Sequence, residues 1–154
     1  VLMGARERLQ ELGYELPSVA APLASYVPAT RVGSQVWTSG QLPVVGGELP
    51  ATGKVGAEVS LEQAQELART ASLNALAAID ALVGLDQVTR VVKVVGFVAS
   101  DPSFTEQAAV INGASDFLGE VFGEAGVHAR SAVGVAVLPK NSPVEIEVIV
   151  EIAE

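Results

Sequence analysis

The chain contains no cysteine, so disulfides, thiolate-bound metals and a cysteine nucleophile are all excluded. Positive charge is scarce as well: nine Lys and Arg stand against 18 Asp and Glu, for a net charge of −9. The basic residues are scattered from Arg6 to Lys140, with no stripe interleaved with aromatics. That balance disfavours the phosphate backbone of nucleic acid and the surface of anionic lipid, so neither nucleic acid nor membrane is expected as a partner. No uncharged apolar run approaches the ~18 residues of a membrane span. Residues 1–16 carry Arg6, Glu7, Arg8 and Glu11 and lack the apolar centre of a secretory leader, which makes the cytoplasm the default expectation.

What the chain has in excess is apolar surface. Hydrophobic residues make up 49% and charged residues 18% of 154 positions. This excludes a disordered chain and suggests more apolar surface than one copy of this size can hide. No repeat, low-complexity tract or linker divides it. We therefore expect an N-terminal extension over residues 1–18 and a single domain over 19–154. The extension should carry a short helix from Ala5 to Leu12, capped by Gly13 and stopped before Pro17.

Gln35–Ser39 reads as a strand running past Gly40 into Gln41–Val45, with a turn or bulge at Gly46-Gly47. Ser60 and Gln63 form a capping-box pattern ahead of a helical stripe from Leu61 to Leu82, which should end near Gly84. The dense β-branched run Val88–Ala99 predicts a strand buried on both faces. Ser103 and Glu106 repeat the capping-box pattern before a second helix ending around Gly123–Gly126. The last third reads as a hairpin, Ser131–Leu138 and Val144–Ile152, turning at Pro139–Pro143. Val144, Ile146, Val148, Val150 and Ile152 share one face of its second strand, and Glu145, Glu147 and Glu151 the other. The order ββαβαββ implies an α+β fold, a mixed sheet covered on one face by two helices. The uncovered face is expected to meet another copy of the chain.

Three segments carry a closer resemblance: Trp37-Thr-Ser-Gly-Gln-Leu-Pro43, the unit from Ser60 to Val98, and Arg130-Ser-Ala-Val-Gly-Val-Ala-Val-Leu-Pro139 followed by Val144-Glu-Ile-Glu147. Their type and order, spanning roughly residues 20–152, resemble the RidA (YjgF) family, whose members are also labelled endoribonuclease L-PSP. The resemblance implies a chorismate-mutase-like fold and a homotrimer with a central barrel-like core. It further implies clefts between subunits that hydrolyse enamines or imines, typically 2-aminoacrylate, to 2-oxo acids and ammonia. The implied ligand is a small 2-imino or 2-oxo carboxylate, and neither metal nor organic cofactor is implied. The segment Pro22-Leu-Ala-Ser-Tyr-Val27 departs from the family's usual Gly-Pro-Tyr-Ser, which points to a divergent branch.

Arg130 opens an apolar strand, where its planar fork could bind a carboxylate through two parallel N–H groups or could make an ordinary strand-end ion pair. The resemblance favours the carboxylate. Glu145 is assigned by motif position to guiding water or moving a proton, whereas alternation alone leaves it a solvated carboxylate like Glu147 and Glu151. Tyr26 and Ser39, thirteen positions apart, match family hydroxyls that close the cleft, and Tyr26 is otherwise a half-buried aromatic. Gly40 could let backbone approach a ligand or could mark a bulge. Asn112 on the second helix and Ala132, acting through backbone groups, complete the implied set. His128 reads as a loop residue with no partner to orient its ring. Two alternatives stay open, a non-catalytic trimeric protein that binds or senses small carboxylates and an endoribonuclease, the latter opposed by the acidic charge.

Overall fold

The computed structural model describes residues 3–19 and 25–154. Of the divergent segment Pro22–Val27, residues 22–24 lie outside those described. Eight main elements follow one another: α1 (Ala5–Glu11), β1 (Ala29–Val32), β2 (Gln35–Thr38), α2 (Leu61–Val83), β3 (Val88–Ala99), α3 (Gln107–Phe122), β4 (Ala129–Val135) and β5 (Val144–Ile152). After α1 this is the expected ββαβαββ order.

The sheet has five strands in the order β1-β2-β5-β3-β4. β3 is its axis, paired in parallel with β4 (Val94 level with Arg130) and antiparallel with β5 (Phe97 level with Glu145). The expected hairpin between the last two strands does not form. β4 and β5 flank β3 on opposite sides, and the connection between them arches over its end, where Ser100 N–H donates to the Val135 carbonyl and Ala99 N–H to that of Pro143. β3 is apolar enough to be paired on both edges, and its link through α3 to a parallel neighbour is a βαβ crossover.

Two further expectations are corrected. Ala29–Val32 is a strand, the outer half of a hairpin with β2, while Gln41–Val45 contributes only a bridge from Gln41 to Ile146 and a turn bridge from Val45 to Glu48. Ser103 caps no helix: its N–H and hydroxyl bond Asp101, and α3 begins at Gln107. At α2 the capping box is complete, with Gln63 N–H donating to Ser60 Oγ and Ser60 N–H to Gln63 Oε1.

Both long helices lie on one face of the sheet. Ala64, Ala68, Ala71, Ala75 and Ala78 bring α2 close to the buried row Val144, Ile146, Val148 and Val150 of β5. α3 adds Val110, Ile111, Ala114, Phe117 and Leu118 to the same core. The N-terminal α1 buries Leu9 there, and Arg6 and Arg8 reach Asp80 of α2 and the Glu120 carbonyl of α3. β3 is therefore buried on one face only: Val91, Val94 and Val98 point to the helices, while Val95 and Phe97 are half-buried on a bare face. Trp37 (48% exposed) and Val133 (44%) lie on that bare face too.

The helices meet where Gly113 of α3 crosses the Gln65 backbone of α2. A Cβ at 113 would overlap the Gln65 carbonyl, and the Gln65 side chain donates to the Ala109 carbonyl beside it. A Cβ at Gly119, on the same helix, would meet nothing within 4 Å. Gly113→Ala should therefore destabilise the fold by about 1–3 kcal/mol through overpacking, whereas Gly119→Ala should stabilise it by roughly 0.5–1 kcal/mol through helix propensity. Urea unfolding of the two variants compares them directly.

Candidate functional site

The residues singled out in the sequence fall into two groups. The first surrounds Arg130 on the edge strand β4. Because Arg130 is level with Val94, its side chain faces the helices, and three of its N–H groups are taken up there. Nη1 donates to Asn112 Oδ1 (2.8 Å) and Ser115 Oγ (3.2 Å), and Nη2 donates to the Ala108 carbonyl (3.1 Å). The remaining donors are Nε–H and one N–H of Nη2, and those two nitrogens share an edge of the guanidinium. Among the described residues Arg130 has no carboxylate within ion-pair distance. An unneutralised guanidinium with donors left on Nε and Nη2 is suited to an incoming carboxylate. Ala132 lies two positions on along the same face of β4, level with Gly96 and partly buried against the core.

The second group surrounds Glu145. Tyr26, Gly40 and Glu145 line one cleft of about 500 Å³, together with Pro28, Leu42 and Lys140. Ser39 does not line the cleft; it ties the cleft residue Pro28 to Gly40, its N–H donating to the Pro28 carbonyl and its hydroxyl to that of Val27 at 2.6 Å. The glycine at 40 has a concrete reason: a Cβ there would overlap Oε2 of Glu145. Burial pushes the Glu145 carboxyl above the ordinary glutamate range, and the negative charge of Glu147 on the same face adds to it.

Within one chain the two groups stand apart. Arg130 is level with Val148 through Val94, three positions beyond Glu145 on β5 and two strands away, about 10 Å along and about 10 Å across the sheet. They also point to opposite faces, Arg130 with buried Val94 and Glu145 with half-buried Phe97.

The family model for "YjgF/chorismate_mutase-like, putative endoribonuclease" matches residues 6–152. The chain belongs to this family. It is 49% identical over 148 residues to protein TCP17 of Trypanosoma cruzi, covering 94% of this chain and 91% of that one. It is 38% identical over 130 residues to the 2-iminobutanoate/2-iminopropanoate deaminase of Salmonella typhimurium, covering 84% and 88%. Among solved structures, Atu1372 of Agrobacterium tumefaciens, of unknown function, superposes with a TM-score of 0.90 at 48% identity over 97% of this chain and 92% of that one. E. coli TdcF with bound serine superposes with a TM-score of 0.63 at 32% identity, covering 91% and 97%. The fold is thus the YjgF/chorismate-mutase-like one.

Several residues escaped the sequence reading. Asn74 of α2 is buried and donates through Nδ2 to the carbonyls of Leu42 and Val44, holding the cleft wall. Ser115 holds Arg130, and the signal was available, since it follows Asn112 by one helical turn on the same face. His128, read as lacking partners, has them on both ring nitrogens, Ser115 Oγ at 2.8 Å and the Gly126 carbonyl at 2.6 Å. Among the described residues no group of His, Asp and Glu could hold a metal ion, and no helix is long and apolar enough to cross a membrane.

Because the charge of Glu147 helps to raise the Glu145 pKa, Glu147→Gln should move the Glu145 titration down towards the ordinary range without bringing it fully there, as burial persists. Carboxyl carbon chemical shifts followed by NMR across pH 3–8 read this; an upward movement would contradict the assignment.

Proposed function

We propose that this chain hydrolyses reactive enamines or imines of 2-amino acids, of the 2-aminoacrylate type, to 2-oxo acids and ammonia, in clefts between the subunits of a homotrimer. The observation that carries this reading is Arg130, a fixed cation with unused donors on Nε and Nη2 and without a counter-charge among the described residues. In this reading a second copy completes the site: Arg130 and Glu145 point to opposite faces of one sheet, so one small molecule meets both when they come from different chains. The bare face with Trp37 and Val133 is the apolar surface expected of a chain that associates with itself.

In this reading Arg130 clamps the substrate carboxylate and so fixes the imine carbon. Asn112 steadies the clamp, the Tyr26 hydroxyl closes the cleft and Ser39 braces its wall. Backbone groups at Gly40 and Ala132 hold the nitrogen. Glu145 takes one proton from water as the oxygen bonds to the imine carbon and passes it to the nitrogen, giving a carbinolamine. It then takes the remaining hydroxyl proton and gives it to the amine as the C=O bond forms, the C–N bond breaks and ammonia leaves. A carboxyl with a raised pKa suits both halves of that exchange. Imines hydrolyse readily in water, so orientation and electrostatic placement suffice and no cofactor is called on. In this reading residues 1–18 are an extension to a single domain of residues 19–154, and α1 braces it against that domain through Leu9, Arg6 and Arg8. The relative named as a deaminase supports the reaction class. The TdcF structure with bound serine supports a small amino acid or its analogue as ligand, and it equally favours a second reading in which the chain binds such carboxylates without turnover.

Imines generated in situ from several amino acids by an amino-acid oxidase, with 2-oxo acid release followed over the uncatalysed rate, test the proposal. Arg130→Ala should lower kcat/KM about thirtyfold or more, the loss expected when one partner of a hydrogen-bonded charge pair is removed. Arg130→Lys should recover little, since an ammonium lacks the fork. Tight binding of a 2-oxo acid with no acceleration would favour the second reading.

A further inference from the structure

His128 is the only histidine of the chain, and the proposed reaction leaves it without a task. Its ring is nonetheless fixed at both nitrogens. Nδ1 lies 2.6 Å from the Gly126 carbonyl, which can only accept, so Nδ1 carries the hydrogen. In the neutral ring Nε2 is then an acceptor, and the Ser115 hydroxyl, 2.8 Å away, donates to it. With its hydrogen so committed, the serine oxygen offers lone pairs to Arg130, whose Nη1 donates to it at 3.2 Å. Every donor along Arg130, Ser115, His128 and Gly126 points the same way.

The far end of this chain is rigid. Gly126 is buried, and a Cβ there would overlap the Leu118 carbonyl of α3, so its own carbonyl is held by close packing against the end of that helix. The near end is rigid too, because Ser115 and Asn112 stand one turn apart on α3 and take Nη1 between them. An unheld arginine loses much rotamer freedom when a ligand orders it. Here that ordering is complete before any ligand arrives.

We infer that Ser115 and His128 are positioning residues that preorganise Arg130, keeping its Nε and Nη2 edge turned to the substrate carboxylate. The inference rests on Arg130 being the carboxylate clamp. It explains why the residue two positions before Arg130 is one with two directional ring nitrogens: neither an apolar side chain nor a charged one could accept from Ser115 while donating to Gly126.

Calorimetric binding of pyruvate and of its neutral amide, pyruvamide, to the full assembled protein tests this alongside the deaminase assay. Ser115→Ala and His128→Phe should each weaken pyruvate binding and raise KM about threefold to tenfold, the effect of losing one hydrogen bond. Both should leave kcat within about twofold and pyruvamide binding unaltered. The double variant should be no worse than the worse single one, since the two act in series. His128→Gln, whose amide can accept from Ser115, should recover most of the loss, and a variant that merely loosened the fold would not show this pattern. Wild-type pyruvate affinity in soluble Ser115→Ala or His128→Phe, with affinity lost in Arg130→Ala, would overturn the inference while leaving the clamp standing. Unchanged pyruvate binding in Arg130→Ala would instead remove the clamp itself. Should His128→Phe fail to fold, Ser115→Ala carries the same expectation, with His128→Gln expected near the wild-type affinity.

Discussion

The double pairing of β3 determines where each functional group ends up. This strand is hydrogen-bonded in parallel to β4 on one edge and antiparallel to β5 on the other, with Val94 level with Arg130 and Phe97 level with Glu145. Alternation along a strand does the rest, since a one-residue slip in either ladder would turn the whole side-chain set over. The register therefore sends Arg130 towards α3, where Asn112 and Ser115 await it, and Glu145 towards the bare face, where Gly40 leaves it room. Burial of Val91, Val94 and Val98 under the two helices holds the register in turn.

The two halves of the candidate site are built on different physical terms. Around Arg130 the described residues supply neutral acceptors only, which order a cation without cancelling its charge. Around Glu145 it supplies partial burial and a like charge, which make ionisation harder. One half is thus poised to attract an anion and the other to hold or release a proton. Their separation onto opposite faces keeps the cation and the carboxyl from pairing with each other inside one chain.

Much of this was legible in the sequence, with failures of identifiable kinds. The α2 helix was readable because its cap and its stripe agree, from Ser60 and Gln63 through Ala64 to Ile79. The strand Ala29–Val32 was not, since Thr30 and Arg31 are exposed and only Ala29 of the four is buried, leaving no apolar alternation to detect. The hairpin reading of the last third failed because a turn sequence reports that the chain reverses, and says nothing of a third strand lying between the two arms. At Ser103 a short acid two positions earlier, Asp101, captured the hydroxyl that the capping pattern assigned to the helix. The motif residues near Arg130 and Glu145 were named from resemblance, but their division into two groups follows from register, which pattern alone does not specify. His128 does lie in a loop as read, but its partners, Ser115 and the Gly126 carbonyl, were not legible because they come from a helix and from the turn after it.

The contact between Gly40 and Glu145 bears on how such a chain can change over time. Any side chain at position 40 would claim the volume that the Glu145 carboxyl occupies. The two sites are therefore coupled. A larger residue at 40 is tolerable once the Glu145 carboxyl swings aside or residue 145 is shortened, and either change moves or removes the group to which the proposed reaction assigns proton transfer. Such a lineage would have to displace that carboxyl before it could explore a new cleft floor, which makes this corner of the molecule slow to diversify.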